Sequence, residues 1–135
     1  MRVESLFTAR RMCREAIDMI SARPDHAWKA TRSFRGCVYD KKVNGGCAIG
    51  GLRPSHRAEH WEMGSISIVF EAAVHMQMDM GLEAKDFLDA LSIPEVCWQD
   101  RDFVIFCSRL QGCHDDSQDR QTCIFRMMTL LESVV

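Results

Sequence analysis

Cys47, His114 and Asp115 are the side chains in this sequence best suited to chemistry. A thiolate attacks, an imidazole takes its proton, and a carboxylate fixes the orientation of the ring. Cys47 stands just ahead of an expected helix start, where free backbone N–H groups and a nearby imidazole lower a thiol's pKa. The competing account is packing. Cys47 then sits buried in a strand, while His114 and Asp115 cap and tie the helices around the turn at Leu110–Ser117. No oxyanion loop accompanies the set, so packing is the better account and an enzyme is not the leading expectation.

Other constellations are less complete. The adjacent His114-Asp115 pair resembles that of metal-dependent phosphohydrolases, which need further His and Asp ligands on separate helices. His56, His60 and His75 do not have that order or spacing. For zinc, His56 and His60 lie four apart and would share a helix face, and Cys37 and Cys47 would face each other across a turn. Cys107, Cys113 and His114 form a second loose group. Structural zinc sites pair their ligands within two to four residues, whereas Cys37 and Cys47 are ten apart, so neither a metal nor a cofactor is expected. Gly45-Gly46 and Gly50-Gly51 lack the Lys-Ser/Thr of a phosphate-binding loop. Met76, Met78, Met80, Met127 and Met128 suit a core or an interface.

The elements that must position these residues follow from periodicity. Leu6, Ala9, Cys13, Ala16, Ile17 and Ile20 repeat at three and four and predict a helix over 5–20, stopped by Pro24. A connector carries Trp28 and Phe34. Cys37-Val38-Tyr39 and Cys47-Ala48-Ile49 flank an Asn44-Gly45 turn and predict a β-hairpin over 37–49. Ile66, Val69, Phe70, Ala73, Val74 and Gln77 predict a helix opening at Gly64-Ser65 and closed by Gly81 as its C-cap. Further helices are expected over 83–91, ended by Pro94, over 100–111, and from a cap at Asp116 or Ser117 onward. The expected architecture is one mainly α (α+β) domain spanning 1–135, with about five helices and one hairpin.

Composition narrows the class. The chain has 135 residues, 47% hydrophobic and 27% charged, which excludes disorder and collagen. The net charge of −2 divides into +6 over residues 1–60 and −8 over 61–135, so neither a uniformly basic nucleic-acid binder nor a uniformly acidic mimic fits. Arg10, Arg11, Arg14, Arg23, Lys29, Arg32 and Arg35, interleaved with Trp28 and Phe34, form a candidate phosphate grip, although such a set is more often a solvated helix face. Seven cysteines cannot all pair, the N-terminus lacks a signal-peptide core, and Glu71, His75 and Asp79 interrupt the most apolar stretch. The expectation is a cytoplasmic protein with no membrane association and reduced, mostly buried thiols.

Cys37-Val38-Tyr39, Cys47-Ala48-Ile49-Gly50, and Leu110-Gln111-Gly112-Cys113-His114-Asp115 together resemble a family of small, uncharacterised phage and prophage proteins. Its members carry a Cys-x-Tyr strand, then Cys-Ala-Ile-Gly, then Leu-Gln-x-x-His-Asp before a final helix. The resemblance covers residues 34–130, and it departs at Arg53-Pro54-Ser55, where the family tends to have an aliphatic residue, Pro and an acidic residue. It implies a phage origin and an α-rich fold but no established activity. With the charge polarity, it leads to the expectation of an accessory protein that inhibits a bacterial defence system in the host cytoplasm (anti-CRISPR or other anti-defence type). The expected protein-binding residues are Asp86, Asp89, Glu95, Asp100, Asp102, Asp116 and Asp119, aimed at a basic channel on a nuclease or other defence complex. The alternative is a small cysteine-dependent enzyme or nucleotide-binding protein using Cys47, His114 and Asp115. Exposed Met and aromatic residues also allow a homodimer.

Overall fold

The computed structural model describes residues 1–25, 28–29, 38–40, 45–46, 48–52, 60–62, 65–76 and 78–134. Among these residues six α-helices dominate: α1 (Val3–Ala22), α2 (Ile66–His75), α3 (Met78–Ala90), α4 (Glu95–Trp98), α5 (Arg101–Asp115) and α6 (Arg120–Glu132). The α+β expectation is therefore corrected to a mainly helical class. Pairing among the described residues is confined to three strands of two or three residues: β1 (Val38–Asp40), β2 (Gly45–Gly46) and β3 (His60–Glu62). The expected hairpin over 37–49 is not the unit either, because β1 is the middle strand and also pairs antiparallel with β3, from a stretch where no strand was anticipated. Strands this short contribute little on their own, and helix packing carries the fold.

The apolar stripe read in the N-terminal stretch is the buried side of α1, where Ala9, Cys13, Ala16 and Ile20 are all fully enclosed. Met12 joins them. This face lies antiparallel to α6, and the Cys13 thiol donates to the Met127 carbonyl at 3.2 Å. Phe103, Phe106, Cys107 and Leu110 of α5 point into the same core. The Phe103 ring meets Phe70 of α2 edge-on, with centroids 5.8 Å apart. Burying side chains of this size stabilises by about 1.5–3 kcal/mol each.

The predicted long helix from residue 65 to 80 breaks in two. Its first half ends at His75, and Met76 adopts the left-handed conformation at φ 49°. Gly81 is not the C-cap that was expected. It lies inside α3, where a Cβ would sit 2.6 Å from the Met76 carbonyl carbon, so its missing side chain lets α3 fold back closely on α2. The boundaries further along also shift. The predicted 83–91 helix begins earlier, α4 appears where no element was read, and α5 runs on to Asp115. The last helix is capped by Asp119, whose carboxylate accepts from the Thr122 N–H, rather than by Asp116 or Ser117. Asp116 instead ends α5. Among the described residues, no helix is long and apolar enough to cross a membrane.

Candidate functional site

The last turn of α5 brings the later family-like residues onto one side of the helix, because positions 111, 114 and 115 are three and four apart. Gln111 is the hub. Its side-chain amide donates to both carboxylate oxygens of Asp115, at 3.3 and 3.2 Å. Its carbonyl oxygen accepts the Ile49 backbone N–H at 3.3 Å. Ile49 and Ala48 are fully buried and lead into a 3-10 turn, Gly50–Leu52. The Cys-Ala-Ile-Gly segment and the Leu-Gln-x-x-His-Asp segment thus meet in the core, although 62 residues separate the bonded pair.

His114 stands 3.2 Å from Asp115 through Nδ1, which donates because an ionised carboxylate only accepts. A general base at this position would use the other ring nitrogen, Nε2. The ring, however, is only 1% exposed, and Nε2 has no hydrogen-bond partner among the described residues. Trp28 closes one side, edge-to-face at 5.9 Å. The neighbouring Lys29 ammonium lies 5.9 Å from the Trp28 ring centre and donates to the carbonyls of Asp115 and Ser117 at 2.9 and 3.0 Å. The ring is oriented by Asp115 and sealed from solvent. Cys47, the nucleophile of the catalytic reading, lies outside the described residues, as does Cys37.

No protein-family model, curated protein or solved structure matches the chain.

The described cysteines are all free. Burial pushes the Cys13 thiol up to about 12, with Cys113 adding to the rise, and the Cys123 thiol up to about 11. The Cys107 thiol is raised well above its usual value and the Cys113 thiol is raised too, both chiefly by burial. These four stay protonated near neutral pH and are poor nucleophiles. Among the described residues, no group of three His, Cys, Asp or Glu side chains converges as metal ligands. The proposed partners His56, Cys37 and Cys47 lie outside those residues, and of His60 only the backbone is described.

The candidate basic residues have mostly been drawn to helix ends. Arg10 donates to the Val134 carbonyl just beyond α6 at 2.8 Å, and Arg11 to the Leu91 and Ser92 carbonyls just beyond α3 at 3.1 and 3.0 Å. Lys29 does the same at the end of α5, and Arg120 reaches the Arg23 carbonyl beyond α1 and the Asp25 carboxylate. Cations suit these positions because the last carbonyls of a helix are unpaired and carry its negative dipole end. Arg14 remains an exposed cation, and Arg32 and Arg35 lie outside the described residues.

The candidate acidic residues also divide. Asp100 accepts from the Phe103 N–H at 3.4 Å, capping α5, and from the Arg2 N–H at 2.8 Å. Burial opposes its ionisation, yet these N–H groups, the Ser5 hydroxyl and the N-terminal charge together hold its carboxyl below the usual value. The Thr122 N–H and hydroxyl hold the Asp119 carboxyl down likewise. Asp102 lies 3.5 Å from the N-terminal ammonium. Asp86 and Asp89 project from the exposed side of α3, and Glu95 opens α4. Asp116 does not share that side. It borders a groove between α5 and α6 that sequence periodicity had not signalled.

This groove encloses about 770 Å³. Val104, Ile105, Leu130 and Phe125 supply apolar walls, and Arg109, Arg126 and Asp116 supply charge. Phe125 is 70% exposed, and Met128, one turn further along α6, is also open to solvent. The one trace of it in sequence is that the aromatic Phe125 falls off the stripe of Cys123, Met127 and Leu130, the residues that α6 buries.

Proposed function

We propose that the chain acts by binding another protein. The observation that supports this best is the α5–α6 groove, where Ile105, Phe125 and Met128 stay exposed beside about 770 Å³ of open, largely apolar space. Exposed apolar groups gathered on one face are a mark of protein docking. The phage resemblance extends this to an accessory factor that inhibits a bacterial defence complex in the host cytoplasm. Asp86 and Asp89 on α3 then present negative charge to a basic nucleic-acid channel of that complex. Asp100 and Asp119 contribute as helix caps instead. The test is co-elution of the purified protein with a defence nuclease, together with phage growth on a defended host. Retained co-elution and growth for D86K/D89K, or neither for the wild type, defeats the inhibitor reading.

A second reading rests on His114, whose Nδ1 faces Asp115 and whose Nε2 has no hydrogen-bond partner among the described residues. In that case Cys47, His114 and Asp115 form a small cysteine-dependent enzyme or a nucleotide site opened by a movement of Trp28. Cys47→Ser separates the two readings. An enzyme loses its activity and keeps its fold, whereas a packing cysteine costs about 1 kcal/mol of stability and leaves binding intact. A third reading, nucleic-acid binding through Arg14, Arg32 and Arg35, predicts steep salt dependence.

A further inference from the structure

Arg109 and Glu132 are exposed charges of opposite sign, neither of which has a hydrogen bond or ion pair among the described residues. Arg109 stands in the wall of the α5–α6 groove, between Ile105 below it and Gly112 above. Glu132 belongs to the outward side of α6, on which Phe125, Met128 and Glu132 are three and seven residues apart. Phe125 and Met128 have the i, i+3 spacing of apolar anchors on a helix that lies in an apolar groove, and Glu132 follows them on the same side. The same molecule therefore carries both the groove and a helix shaped to fill it.

We propose that a second copy of this chain occupies the groove, forming a two-fold dimer in which each α6 seats its Phe125 in the partner's groove. A two-fold contact requires one patch to complement itself. Phe125 meets this condition because it lines the groove and also projects from it. The charges meet it as well. With α6 of one copy laid over the groove of the other, Glu132 offers a carboxylate to Arg109 and the symmetry makes the pair twice. An occupant that covers the exposed Arg109 guanidinium takes it out of water, which disfavours a purely apolar occupant and favours one that brings a carboxylate. The proposal rests on the reading of this groove as a protein-docking surface. It leaves Asp86 and Asp89 of α3 free for a host target.

The test is sedimentation velocity over a concentration series, using the full chain as wild type, F125D, R109E and E132R, with circular dichroism confirming each fold. The expected results are a wild-type dimer, a folded F125D monomer, and association about tenfold or more weaker for R109E and E132R, since each substitution enters the contact twice as a repulsion. Mixing R109E with E132R restores dimer, because both pairs regain opposite charges in the mixed species. A wild-type monomer at every concentration overturns the proposal, even if a host protein then proves to take the groove. A dimer indifferent to F125D and R109E overturns it equally. Failure to bind a defence complex, with the dimer intact, defeats only the host-target reading.

Discussion

The Ile49 backbone N–H donates to Gln111 Oε1 at 3.3 Å, tying the buried turn between β2 and β3 to the last turns of α5. Gln111 also holds Asp115, and Asp115 holds His114, so one amide side chain organises the junction. Gln111→Ala removes the acceptor from a buried N–H. An unsatisfied donor of this kind costs about 1–3 kcal/mol. Chemical denaturation gives that loss directly, while Gln111→Glu keeps the acceptor for Ile49 but sets a carboxyl against Asp115, so it recovers part of the loss only at low pH, where that carboxyl is protonated and can still donate.

Gly81→Ala tests the α2–α3 corner. The added Cβ meets the Met76 backbone at 2.6 and 2.7 Å, and backbone cannot swing aside as a flexible side chain can. Ordinarily this change stabilises a helix by about 0.5–1 kcal/mol. Here the expected sign is reversed, with a lower melting temperature. A melting temperature equal to or above the wild type contradicts the close approach.

Lys29→Met removes the donor that satisfies the Asp115 and Ser117 carbonyls while preserving much of the aliphatic stem. A loss of about 1–3 kcal/mol is expected, with faster amide exchange focused on residues 113–117. Arg14→Met is the control, since Arg14 is exposed, and should fall within about 0.5 kcal/mol of the wild type. Equal effects would show that Lys29 is not acting as a helix cap.

Stability should fall at both ends of the pH scale, for opposite reasons. The Cys13 and Cys123 thiols have folded-state values of about 12 and 11, raised by burial above an ordinary 9.0. A raised value means that the folded state holds its proton longer, so stability is full below 9.0 and declines as pH climbs through that window. The Asp100 and Asp119 carboxyls are lowered from 3.8, so their contribution is present above that value and lost as acid protonates them. Melting temperature against pH should decline on both flanks. Cys13→Ala should flatten the alkaline side, and Asp119→Asn the acid side.

Phe125 and Phe103 offer a contrast between two rings of equal size. Phe103 is fully buried against Phe70, and Phe103→Ala should cost about 3–5 kcal/mol in an unfolding titration. Phe125 is 70% exposed, so Phe125→Ala should leave the unfolding midpoint of the isolated subunit nearly unchanged. Comparable losses for the two would refute the exposed placement of Phe125.

Local pattern in the sequence determined the helical segments, because period-3.6 stripes such as Ala9, Cys13, Ala16 and Ile20 can bury only one way on a helix. It also singled out His114 and Asp115, beside Cys47, as chemistry-bearing residues, but it set them in a turn after residue 111; the extension of α5 to Asp115 is what places them with Gln111 on one helix. Only the tertiary structure decided the rest. It broke the 65–80 helix at Met76, since the apolar run continues past a turn that packing alone imposes. The three short strands depend on pairing between β1 and β3, a long-range choice that turn residues cannot announce. Sealing His114 under Trp28 required a connector distant in sequence to fold over α5. Only the structure showed where part of the cationic set goes. Arg10, Arg11 and Lys29 reach helix ends across the molecule, where unpaired carbonyls and the negative end of the helix dipole favour a cation.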